Sequence, residues 1–297
     1  MLNISGKIVY SLCLLAINVS AQEATPFLNS PDTLNKESKN SLHSLYAGAG
    51  FGSNMVYLGS TISQDNPYTY GSITYGFKNE IFASVAAVHL SRLNPYLAFY
   101  IGSLNYSHAF NNWFDISAGI YRYEVVPSLE DTLFNSFTYS DLTLGFDWKL
   151  LYSKISAGGL FSTENQVFFQ LRNSRYFQTP EFFNGKVNIS FDPYVNLLFG
   201  TLTEVETSTE TAYYYSISSP YRKWRNSGHV TATTDTIYSY SGRFGLLEVD
   251  FGIPVAFNTN FMTIEVEPSY VVPFYDDDYY LSTEGFVFNL SIFFRIF

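Results

Sequence analysis

The sequence predicts an all-β fold: a transmembrane antiparallel up-and-down β-barrel of about twelve strands. Three observations carry that reading. Apolar and polar residues alternate with period two through most of the chain from residue 43 onward. Tyr (25) and Phe (28) are abundant while charged residues make up only 14%, a balance foreign to an ordinary soluble enzyme. Beyond residue 21 nothing approaches the run of about eighteen apolar residues that a membrane helix needs. A chain this aromatic, without membrane helices, meets hydrocarbon through a closed barrel, where every backbone group is paired and alternate side chains face lipid.

Taken in order, residues 1–21 read as a secretory signal, with one positive charge at Lys7, an apolar stretch over 8–19, and small residues Ser20 and Ala21 at the cleavage point. The apolar stretch is too short to cross roughly 30 Å of hydrocarbon. Cys13, the only cysteine, lies within it behind Leu12, where a lipoprotein box wants a small residue, so the mature chain has no disulfide framework and no thiolate chemistry. Residues 22–42 form a short polar lead-in with Pro26 and Pro31, and the barrel occupies 43–297. Its candidate strands are 43–58, 68–78, 81–90, 96–109, 113–125, 136–148, 151–162, 166–178, 187–205, 236–256, 261–274 and 286–297. Tight connections such as 78–80, 111–112 and 258–260 alternate with longer ones such as 127–135 and 206–235, as in a barrel with short turns on one side of a membrane and long loops on the other.

Several strands declare their two faces. Leu142, Leu144, Phe146 and Trp148 oppose Asp141, Thr143, Gly145 and Asp147; Met262, Ile264 and Val266 oppose Thr263, Glu265 and Glu267. A β-sandwich has the same alternation, but it would not need so many Phe and Tyr on its apolar face. Tyr68, Tyr70, Trp113 and Trp148, near strand ends, suit interfacial girdles.

With its signal segment, dyad strands and terminal Phe297, the chain resembles the bacterial outer-membrane β-barrel proteins over essentially all of the mature sequence. The resemblance implies the outer membrane of a Gram-negative bacterium, a periplasmic lead-in, contact with outer-membrane lipids and lipopolysaccharide, and insertion by the barrel assembly machinery. Phe297 departs from the usual pattern, being in phase with Asn289, Ser291 and Arg295 while Phe294 and Ile296 carry the apolar phase.

Function must come from sites, because unrelated activities share such barrels. The leading reading is a pore for small solutes. Its inner face carries Asp115, Asp141, Asp147, Asp192, Glu248, Asp250, Glu265 and Glu267 against Lys149, Arg243 and Arg295, a lining that favours cations or neutral solutes over anions. The competing reading is that these residues fill and pair inside a closed structural barrel. Arg295 is expected opposite Glu265, as an ion pair that fixes the register of the closing strand.

A second class is enzymatic. His89 and Ser91 share a strand face with Asn94 nearby, resembling the His-x-Ser arrangement of outer-membrane phospholipases and lipid A deacylases; Arg92 stands where those families favour Asn. A third class is surface recognition, in which Tyr221, Arg222, Lys223, Trp224 and Arg225 of the longest loop interleave aromatics with cations suited to lipopolysaccharide phosphates or sugars. No metal spacing or cofactor motif appears: His43, His108 and His229 are isolated, and the run 276–278 of aspartates reads as a solvated loop. The net charge of −10 argues against nucleic acid.

Overall fold

The computed structural model describes residues 42–129, 133–162, 165–183, 186–207, 214–217, 238–274 and 284–297. Twelve antiparallel strands close into a barrel. They are β1 His43–Gly52, β2 Tyr68–Phe77, β3 Ile81–Leu90, β4 Phe99–Ala109, β5 Phe114–Val125, β6 Phe137–Asp147, β7 Tyr152–Phe161, β8 Gln166–Ser174, β9 Val187–Phe191 with Tyr194–Thr207, β10 Tyr238–Gly252 with Val255–Thr259, β11 Met262–Pro273 and β12 Gly285–Arg295. Each pairs with its sequence neighbours, and β12 returns to β1 over Tyr46↔Arg295 to Gly52↔Asn289. Closure leaves no strand edge, which is what a sheet surrounded by lipid requires.

The breaks in β9 and β10 lie side by side, at Pro193 and Pro254. Proline has no N–H to give to a ladder, so placing both at one level interrupts the sheet once rather than twice. The Asp192 amide bridges the gap to the Pro254 carbonyl at 3.2 Å. Higher on β10, Leu198 pairs with Glu248 but Phe199 with Leu246, so Leu247 is a bulge residue, and it is fully buried inside the ring.

Alternation sorts the two faces as expected. Ile73, Val85, Leu104, Ile120, Leu142 and Val195 are exposed on the outside, an apolar band that only hydrocarbon would cover. Inside, small polar residues bond across strands, as in Ser84 to Ser103 and Thr143 to Ser156, both at 2.7 Å. Trp113 and Trp148 are exposed at the end of the barrel with short turns. Tyr68 and Tyr70 correct the girdle expectation. They are buried and face inward, lying across Gly52 and Gly50 of β1, where an added Cβ would come within 2.1 and 2.3 Å of their rings. The absence of a side chain on that strand gives the rings their space.

The first strand is also shorter than the alternation suggests. β1 ends at Gly52, and residues 53–67, at the long-loop end, turn into the barrel instead of extending it. A small hairpin, Val56–Tyr57 against Ser60–Thr61, forms their tip. Met55, Tyr57, Leu58 and Ile62 join a cluster with Phe99, Tyr123, Phe137 and Tyr139 of the wall and with Leu129, Leu133 and Phe134 of the connection between β5 and β6. The barrel therefore has a hydrophobic core inside its lumen.

Candidate functional site: the lumen

The inner face that remains is acidic. Asp115, Asp192, Glu248, Asp250, Glu265 and Glu267 are all buried within the ring, Glu267 and Asp250 being only 3% exposed. Asp141 and Asp147 lie on the same face of β6 and are partly exposed. Each strand supplies these groups at alternate positions because successive side chains point to opposite faces. Neighbouring polar groups hold them in place. The Tyr152 hydroxyl donates to Asp115 at 2.7 Å, Thr143 to Asp141 at 3.2 Å, Asn196 to Asp250 at 2.7 Å and Tyr194 to Glu267 at 3.0 Å.

The basic residues depart further from expectation. Lys149 is not a lumen charge: it sits exposed in the turn between β6 and β7, and its amide donates to Asp147 at 2.7 Å. Arg243 lies on β10 and its side chain is outside the described residues. Two inward cations that the sequence reading did not name are Lys154 and Arg172, opposite one another on β7 and β8. Arg172 is buried, lies 3.9 Å from the Tyr194 ring centre and reaches within 4.0 Å of Asp192. Its phase was open to inspection, since it alternates with Gln170 and Ser174.

Arg295 stands opposite Phe261, whose carbonyl accepts its amide at 2.8 Å, while Glu265 pairs with Ser291. The expected Arg295–Glu265 register is thus wrong by four residues, about 13 Å along a strand. Four is an even number, so Arg295 keeps the same face as Ser291 and the buried Phe293. Alternation fixes register only to an even number of residues and cannot tell one even offset from another.

Between the inward hairpin and strands β9 to β12 lies a narrow cleft, lined by Asn54 and Val56 on one side and by Tyr194, Glu248, Asp250 and Glu267 on the other. Among the described residues no three His, Cys, Asp or Glu side chains come together as metal ligands would.

His89 lies at the long-loop end of β3 in the outward phase, and Ser91 in the turn just after it. The imidazole stacks on Tyr96, ring centres 4.1 Å apart, and its Nδ1 contacts the Tyr96 carbonyl oxygen rather than Ser91 or Asn94. Asn94 is exposed. The loop residues Tyr221, Arg222, Lys223, Trp224 and Arg225, together with His229 and 276–278, lie outside the described residues.

No family model matches the chain, and no curated protein matches it by sequence. Among solved structures, the NanC porin aligns with a TM-score of 0.44 and 11% identity over 85% of this chain and 100% of its own. The KdgM porin aligns with 0.44 and 9% identity over 85% and 98%. LpxR from Salmonella typhimurium aligns with 0.44 and 5% identity over 84% and 99%. At these scores the likeness assigns no activity.

Proposed function

We propose that this chain is an outer-membrane channel for small cationic or neutral solutes, closed in the conformation described. The apolar outer band supplies the membrane half of the reading. The observation that carries the channel half is the charge of the inner face. Eight carboxylates, Asp115, Asp141, Asp147, Asp192, Glu248, Asp250, Glu265 and Glu267, share it with Lys154, Arg172 and Arg295 among the described side chains. Carboxylates withdrawn from bulk water cost several kcal/mol each unless cations or water accompany them, so a lining this unbalanced suits an interior that admits both. Rings of acidic side chains select cations in the same way.

A second reading, a filled barrel without conductance, is favoured by the burial of residues 53–67 inside the lumen. Planar-bilayer recording of the refolded protein separates the two. The channel reading expects stepped conductance and a reversal potential showing cation preference in a salt gradient. Glu265→Gln together with Glu267→Gln should weaken that preference. Anion selectivity of the intact protein would overturn the assignment.

A further inference from the structure

We infer that Val56, Val271 and Val287 form a hydrophobic constriction in the acidic lumen, and that the inward hairpin carrying Val56 is its moving part. The three valines are buried against one another as a cluster separate from the main core. They come from three different elements: the hairpin, β11 and β12. Their neighbours along the wall are polar. Val271 stands opposite Asp250, Val287 opposite Ser269, and the next inward pair is Glu267 and Asn289. An apolar pinch set among hydrated charges blocks ions by excluding water from a short length of pore, which needs no charge of its own.

The construction of the hairpin identifies which side moves. Its polar groups bond to one another. The Asn54 side chain accepts from Thr61 and Ser63, both at 2.7 Å, and donates to Asp65 at 2.6 Å, while the Ser63 hydroxyl accepts the Met55 amide at 2.8 Å. The segment thus carries much of its own hydrogen bonding with it. Its grip on the wall includes the non-directional packing of Met55, Tyr57, Leu58 and Ile62. At its base, Ser53 is tied to Phe288 of β12 by reciprocal bonds of 2.8 and 2.9 Å, which fixes the point about which it swings. Val271 and Val287, by contrast, are held in the ladder of the wall.

This inference rests on the channel reading, and the experiment separates the two failures. Single-channel recording compares the full protein, a variant in which 54–65 is replaced by a Gly/Ser linker, and the pair Val56→Ala with Val287→Ala. Each is first checked for a band that shifts on boiling. The expected result is a several-fold rise in mean conductance in both variants. Equal conductance in all three would overturn the constriction while leaving the channel intact. Silence of all three folded proteins would overturn the channel itself. If the linker variant does not fold, the valine pair decides, since it removes only methyl groups.

Discussion

Arg172 shows what a buried charge does in this barrel. Its guanidinium lies over the Tyr194 ring and within ion-pair range of Asp192, so one side chain ties β8 to β9 close to the proline break that weakens the ladder there. Removing one partner of a buried pair leaves the other uncompensated, at a cost of about 3–5 kcal/mol. Arg172→Ala should therefore lower the urea midpoint of the intact barrel substantially, read by tryptophan fluorescence. Arg122→Ala, which removes a half-exposed ion pair with Glu124 on the outer face, should leave it nearly unchanged. At this scale the sequence was legible for direction and silent about partners. The alternation put Asp192 on the inner face and left the phase of Arg172 open to the same inspection, but nothing in either strand says that Tyr194 lies beneath the guanidinium, because that neighbour is set by register.

The strands were readable as elements because the membrane enforces a simple code, apolar outward and polar inward, that each strand must repeat. Residues 53–67 escape that code. "MVYLGSTIS" continues the apolar rhythm of β1, yet a segment lying within a lumen is covered on both sides, so alternation cannot distinguish a taller wall from a plug. The fully buried Tyr57, packed edge-on to Tyr139 and tilted against Tyr123 and Phe137, is the anchor of that plug. Tyr57→Ala should cost about 3–5 kcal/mol if the cavity stays open. It should also make the hairpin accessible to protease in detergent while the wall strands stay protected, which limited digestion would detect.

At the level of the whole molecule, the ring of twelve strands should resist detergent because no strand can leave without breaking two ladders. The unboiled protein should migrate differently from the boiled protein in gel electrophoresis, and recovery in the soluble periplasmic fraction would contradict the architecture. The fold could be read from sequence because it is a consequence of solvent: period, aromatic content and the lack of long apolar runs together leave few other ways to satisfy a backbone in lipid. Whether the lumen is open could not be read in the same way. That depends on how loops fold back, which is decided by contacts between residues far apart in the chain.

Contacts of that kind bear on time as well as stability. Across glycine-bearing β1, the Tyr68 hydroxyl reaches Asn289 at 3.0 Å and the Tyr70 hydroxyl reaches Ser291 at 2.9 Å, so residues of β2 and β12, 221 positions apart, are joined over the strand between them. These bonds can form only once the two ends of the chain have met, so they are expected late in assembly. An interaction absent from the transition state of folding acts mainly on the return path. Tyr70→Phe should accordingly speed unfolding of the finished barrel and leave its folding rate almost untouched. The two hydroxyls act as a latch on the seam, setting how long a completed barrel stays shut.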